Sequence, residues 1–312
     1  MPIESIAIVG AGVIGASWAA FYAAKGFQVK MHDADAAQCR KGHRRAVEII
    51  ELLQAEGLLE SDRVVASTAG VTTTAGLTQA IAGVQLVQEN VAEDYAVKKQ
   101  VYKAMDAATA SDVILASSSS GLLMTEIQKV TRHPGRCLIA HPFNPPHLIP
   151  LVELVPGEAT DPRIVATMKN FYEELGKVPI VLNKAVPGHI ANRLALAMWR
   201  EAVDLVVQGI ASVEDVDKAV YAGPGLRWAL MGPHLIYHLG GGEGGMDHFL
   251  DHFGPAFKPW WESMATWTTL PSETKSVLTA GLKREIGDRS LIDITRWRDE
   301  KLSGLLKLVY GR

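Results

Sequence analysis

The chain has 312 residues, 48% of them hydrophobic and 21% charged, with a formal net charge of −3. That composition excludes a disordered protein and is sufficient for a large buried core, best divided between two domains. The near-neutral charge argues against a nucleic-acid or acidic-membrane surface, and no apolar run approaches the roughly 18 residues of a membrane span.

Ile6–Val9 is predicted as a strand and Val13–Lys25 as a helix rich in small residues. Gln28–His32 follows as a second strand, then Ala36–Ala55 as an amphipathic helix. Leu86–Val91 is a further strand and Ala96–Ala108 a further helix. Val113–Ser117, Cys137–His141, Ile149–Val155 and Val178–Leu182 complete the strands. Strands alternating with helices imply an α/β, mainly parallel, doubly wound Rossmann-type sheet. Short connections between the late strands place antiparallel pairing at its far edge. Beyond Pro187-Gly188 the pattern is helical only. Ile190–Gln208 repeats apolar residues at Leu194, Ala197, Met198, Ala202 and Leu205, and Ser212-Val213-Glu214-Asp215 has the form of a capped helix start. The expected organisation is a Rossmann-type domain over 1–186 and an all-α domain over 187–312.

Cys39 and Cys137 are the only cysteines and lie far apart, which points to a reducing compartment. The N-terminus opens directly on an apolar strand without a basic leader segment, so the expected location is cytoplasmic. The basic run Arg40-Lys41-Gly42-His43-Arg44-Arg45 reads as a solvated helix face, with substrate phosphates as a second option.

Gly10-Ala11-Gly12-Val13-Ile14-Gly15 lies between a predicted strand and a predicted helix. The first glycine permits the tight turn, the second lets backbone approach a pyrophosphate, and the third lets helix and strand pack closely. Asp33, ending the second strand, is placed to accept the hydroxyls of an adenosine ribose and to repel a 2′-phosphate, so NAD is favoured over NADP. Ser117-Ser118-Ser119-Ser120-Gly121 follows a strand at the sheet's carboxyl edge, where ligands bind. Its hydroxyls suit a nicotinamide or a substrate oxygen, or the capping of a helix near Leu122.

His141 stands just past an apolar strand in His141-Pro142-Phe143-Asn144-Pro145-Pro146. Twelve residues later Glu153 shares a strand face with Ile149, Leu151 and Val155 by the period-two rule. A carboxylate there needs a partner, and a His–Glu pair is a general acid/base unit. The alternative is a satisfied core histidine beside a strand-end surface glutamate. Trp228, Trp260, Trp261 and Trp267 suit either a cage for a cationic group or a core or dimer interface. His234/His238 and His248/His252 have helical ligand spacing, but no third ligand is evident and no metal is expected.

Together with Glu89-Asn90-Val91-Ala92-Glu93-Asp94, Leu151-Val152-Glu153-Leu154-Val155 and Ile190-Ala191-Asn192-Arg193-Leu194, these motifs resemble the NAD-dependent 3-hydroxyacyl-CoA dehydrogenase superfamily over nearly the whole chain. The resemblance is strongest to its lambda-crystallin/L-gulonate 3-dehydrogenase and L-carnitine dehydrogenase branch, the carnitine side being marked by Gly225-Leu226-Arg227-Trp228-Ala229 and Gly242-Glu243-Gly244-Gly245-Met246. It implies NAD-dependent oxidation of an L-3-hydroxy acid to the 3-keto acid. By that resemblance His141 is the base, Glu153 orients it, and Ser120 and Asn192 donate to the substrate oxygen. It sets Gly10, Gly12, Val13, Ile14, Gly15, Asp33, Glu93 and Lys98 around NAD. Asn192 falls beyond the domain boundary, so the site is expected in an interdomain cleft.

The serine run departs from the Ser-Asn-Thr-Ser of acyl-CoA members, and Lys41, Arg44 and Arg45 are the only candidates for a CoA-gripping segment. A free acid such as L-carnitine or L-gulonate is therefore favoured over 3-hydroxybutyryl-CoA, its CoA-linked alternative. A non-catalytic, crystallin-like NAD-binding protein is the remote alternative. A homodimer through the helical domain is expected.

Overall fold

The computed structural model describes residues 2–311. Its strands are β1 (Ser5–Val9), β2 (Gln28–His32), β3 (Val71–Thr73), β4 (Leu86–Glu89), β5 (Ile114–Ser117), β6 (Cys137–Pro142), β7 (Leu151–Pro156) and β8 (Val178–Val181). They form one sheet in the order β3-β2-β1-β4-β5-β6-β7-β8, parallel throughout except for the antiparallel pair β6–β7. This is the Rossmann-type α/β sheet expected from the alternating pattern. β3 was not expected: three residues on the sheet's edge are too short to show a strand period.

The period-two rule sends alternate residues of β1 into two layers. Ile6 and Ile8 enter one buried cluster with Trp18, Met31 and Ile50, while Ala7 and Val9 enter another with Val87, Tyr102 and Leu115. Both faces are covered, which is why β1 reads as a continuous apolar run rather than an alternating one. The covering helices are α1 (Val13–Ala24), α2 (Ala36–Ala55), α3 (Val64–Ala69), α4 (Leu77–Ile81), α5 (Tyr95–Ala108), α6 (Met124–Gln128) and α7 (Pro162–Glu174).

The rest is helical: α8 (Ala191–Val207), α9 (Val213–Ala222), α10 (Pro224–Trp228), α11 (Pro233–Gly240), α12 (Gly245–Ser263), α13 (Thr274–Ile286) and α14 (Leu291–Tyr310). Ser212 caps α9 through the Asp215 amide at 3.1 Å, as its sequence suggests. Two compact units result, one running to Asn192 and rejoined from Arg298, the other Arg193–Trp297. The sequence reading instead assigns everything after 186 to the helical part. The difference lies in residues 187–192, which stay with the first unit, and in the end of α14, where Leu306 is buried in the first unit's core with Leu302 packed against that core. Among the described residues, no helix is long and apolar enough to cross a membrane.

Candidate active site

Gly10 closes the turn after β1 with φ of 94°, and a Cβ there would lie 2.6 Å from the Asn90 carbonyl carbon. At Gly15 a Cβ would lie 1.9 Å from the Gly10 oxygen, so both positions are sterically closed to side chains. Gly12 faces open space, and no side chain caps α1 at that position. The start of α1 is thus free to offer backbone N–H groups to an anion. Asp33 Oδ2 accepts the Ala11 amide at 2.8 Å and Oδ1 the Asp35 amide at 3.0 Å. Each oxygen has a lone pair left for a ribose hydroxyl. Gly10, Gly12, Asp33, Asn90 and Val91 line a cavity of about 410 Å³ where the strand order reverses between β1 and β4. That is the ligand crevice of an open α/β sheet, and its glycines, acid and free helix start fit a dinucleotide.

The register of β6 and β7 sets His141 directly opposite Glu153. Their side chains share a face, and His141 Nδ1 donates to Glu153 Oε2 at 2.8 Å with both groups buried. Glu153 Oε1 accepts the Ile190 and Ala191 amides at 2.9 and 3.0 Å. Burial alone would raise this carboxyl's pKa, but the His141 bond and the two amides outweigh it and hold the group below its ordinary range. Glu153 is therefore an anion that accepts from Nδ1, an arrangement that in the neutral His141 ring leaves Nε2 as the nitrogen without the proton. The surface placement considered for Glu153 is excluded, since it has no exposure. Asn192 follows the two bound amides in the first turn of α8, so the carboxylate that orients His141 also fixes the start of Asn192's helix.

Ser120 lies on the loop after β5, and Glu93 holds that loop by accepting the Ser119 hydroxyl at 2.7 Å and the Ser120 and Gly121 amides at 2.9 and 2.8 Å. Burial would raise the Glu93 pKa, but the Ser119 hydroxyl, these amides and Lys98 together lower it. Lys98, expected on the cofactor, is 1% exposed and turned inward. Its Nζ donates to Glu89 Oε1 at 2.8 Å and to the Val91 carbonyl at 3.2 Å, and lies 3.5 Å from Glu93 Oε2. Two of the ammonium's three donors bond the chain itself, so Lys98 braces β4 and the loop that follows it. Ser117 is buried and bonds the other Glu89 oxygen at 2.6 Å, and Ser119 Oγ accepts the Leu122 amide, a capping use of the run.

Sequence reasoning missed Glu89 and His189. Glu89, whose pKa is raised by burial despite Lys98 and Ser117, ends an apolar strand just as Glu153 sits in one, so the same signal was present. His189 is fully buried between Gly188 and α8, with its ring 5.2 Å from that of His141. Elsewhere, Trp228 lines an apolar cavity of about 360 Å³ within the helical unit with Leu194, Ala195, Met198 and Met231. Trp267 instead donates to Asp204 at 3.0 Å.

Residues 5–186 match the family model of the 3-hydroxyacyl-CoA dehydrogenase NAD binding domain, and residues 188–279 that of the 3-hydroxyacyl-CoA dehydrogenase C-terminal domain. The chain belongs to the 3-hydroxyacyl-CoA dehydrogenase family. Within it, the chain is 44% identical to the L-carnitine dehydrogenase of Streptomyces coelicolor, over 98% of this chain and 94% of that one. It is 39% identical to the L-carnitine dehydrogenase of Oceanobacillus iheyensis, over 98% of both. The crystal structure of 5-formyl-3-hydroxy-2-methylpyridine 4-carboxylic acid 5-dehydrogenase, an NAD-dependent dismutase, superposes with a TM-score of 0.84 at 29% identity, covering 100% of both chains. That of (S)-3-hydroxybutyryl-CoA dehydrogenase from Ralstonia eutropha gives 0.69 at 26% identity, covering 90% of this chain and 95% of that one. The family member described here is thus an NAD-dependent oxidoreductase acting on the hydroxyl of a 3-hydroxy acid.

Proposed function

We propose that this dehydrogenase oxidises the free L-3-hydroxy acid L-carnitine to its 3-keto acid, with His141 as base, Glu153 as its orienting partner, and Ser120 and Asn192 as donors to the substrate oxygen. The observation that carries the chemistry is the buried His141–Glu153 bond, which leaves Nε2 as the bare nitrogen. Supporting the substrate are curated relatives of that activity, at 35% to 44% identity over 96% to 98% of the chain.

His141 Nε2 takes the substrate's hydroxyl proton, and the Glu153 carboxylate stabilises the imidazolium that forms. NAD, when bound, supplies the acceptor for the hydride that leaves C3. As the C–O bond gains double-bond character, Ser120 and Asn192 hold the negative charge on its oxygen. Gly10, Gly12, Val13, Ile14, Gly15 and Asp33 hold the dinucleotide, while Glu93 acts through the serine loop and Lys98 through Glu89 and Glu93. A cytoplasmic homodimer is part of this reading. Its support is the apolar surface of the helical unit, where Trp260 and Trp261 are 61% and 67% exposed alongside Leu196, Leu230 and Leu239.

The test is NAD reduction on L-carnitine, L-gulonate and 3-hydroxybutyryl-CoA in parallel. L-Carnitine is expected to lead in kcat/KM by about tenfold or more, a difference of ~1.4 kcal/mol in transition-state binding. A CoA thioester that leads the three would overturn the assignment.

A further inference from the structure

His189 plays no part in the chemistry above, yet its placement is costly for an ordinary core residue. Among the described residues it is the only one other than glycine with positive φ, at 51°. That left-handed region disfavours any side chain. The ring is fully buried, its Nε2 lies 3.0 Å from the Ser119 carbonyl oxygen, and its Nδ1 has no hydrogen-bond partner among the described residues. A carbonyl only accepts, so Nε2 carries the proton and Nδ1 is a bare, buried lone pair. The ring is tilted 59° against that of His141 at 5.2 Å. Ser119 in turn precedes Ser120, on a loop whose outer side is held by Glu93.

We infer that His189 is a positioning residue that clasps the Ser119–Ser120 loop to the His141–Glu153 pair, setting the Ser120 hydroxyl where the substrate oxygen must lie. The inference rests on the function proposed above. Glu93 fixes the loop from one side only, by its Ser119 hydroxyl and its Ser120 and Gly121 amides. The Ser119 carbonyl is the handle on the inner side, and His189 takes it. The titratable groups nearest the ring are His141 and Glu153, and burial, with the neighbouring His141, lowers the His189 pKa from its ordinary value, which favours the neutral ring. A neutral ring suits this place, since a second cation would oppose the imidazolium that His141 must become.

The test is a set of variants read by kcat, KM, NAD affinity and histidine nitrogen spectra. His189→Phe keeps a ring but loses the donor to Ser119. It should lower kcat on the order of ten- to a hundredfold through a misplaced loop, with NAD affinity held. His189→Gln keeps a donor near the Nε2 position and should recover most of that loss. Combining His189→Phe with Ser120→Ala should cost little more than Ser120→Ala alone, because both act on one contact. Full activity in His189→Phe, no recovery in His189→Gln, or additive losses in the double variant would each overturn the clasp.

If the unaltered protein oxidises no 3-hydroxy acid, it is the proposed function that has failed. The nitrogen spectrum still decides the clasp in that case. At about pH 6, where an ordinary histidine of pKa about 6.5 is mostly charged, His189 should be neutral with its proton on Nε2. A charged ring or a proton on Nδ1 would refute it.

Discussion

Replacing Glu153 with glutamine tests the base assignment through geometry rather than through simple loss of a side chain. The carboxylate binds donors on both oxygens: His141 Nδ1 at 2.8 Å, and the Ile190 and Ala191 amides at 2.9 and 3.0 Å. Glutamine keeps one acceptor and gains an NH2. Turning that NH2 toward the two amides would forfeit both bonds, at roughly 1–3 kcal/mol for each buried donor left unpaired. The carbonyl therefore stays on the amides and the NH2 faces His141. Imidazole must then accept at Nδ1 and carry its proton on Nε2, the nitrogen that has to receive the substrate proton. Glu153→Gln should lower kcat on the order of 10³- to 10⁴-fold, as the wrong tautomer does in a Ser-His-Asp triad, or ~4–5 kcal/mol of barrier. NADH formation under saturating substrate reads the loss, and calorimetric NAD titration should show unchanged affinity. An effect below about tenfold, with NAD binding intact, would refute the tautomer reasoning.

Asp33→Ala should weaken NAD by roughly 1.5–3 kcal/mol, the range for bonds to a charged acceptor, and narrow the preference over NADP; equal use of both cofactors by the unaltered protein would contradict the assignment. Gly12→Ala meets open space and should keep the melting temperature while raising the NAD Kd by about tenfold. Gly15→Ala, whose Cβ would sit 1.9 Å from the Gly10 oxygen, should instead destabilise the fold by ~1–3 kcal/mol. Matching behaviour of the two variants would sink that distinction. Burial, followed by the charges of Lys177, Arg298 and Arg45, pushes the His147 pKa down to about 3. The unfolded chain then binds a proton below about pH 6.5 that the folded chain refuses, so stability should fall as pH drops from there toward about 3, by roughly 1 kcal/mol per unit. Denaturant titrations of His147→Asn should show a shallower slope over that window, and identical slopes would count against it.

Much of this site is legible in the chain because two local rules converge there. The glycine motif announces its own turn, and the period-two rule marks Glu153 as a carboxylate on an apolar strand face. What the sequence does not carry is register. Only the antiparallel pairing of β6 with β7 turns a separation along the chain into a directly opposed pair. The Lys98 ion pair is hidden for a related reason, since its partner Glu89 comes from β4 rather than from a helical neighbour. His189 is harder still, as its contacts reach Ser119 and His141 across long stretches of chain. The one local hint is a bulky residue directly after Gly188 at the approach to a helix, and it points to no partner. The return of Leu306 to the first core is likewise a long-range packing choice with no period of its own.

The most direct measurement is turnover of L-carnitine by His141→Ala and His141→Gln, with NAD affinity determined on the same preparations. NADH formation should vanish in both variants while NAD binds nearly as before. Turnover at the unaltered rate in either would show that His141 is not the base.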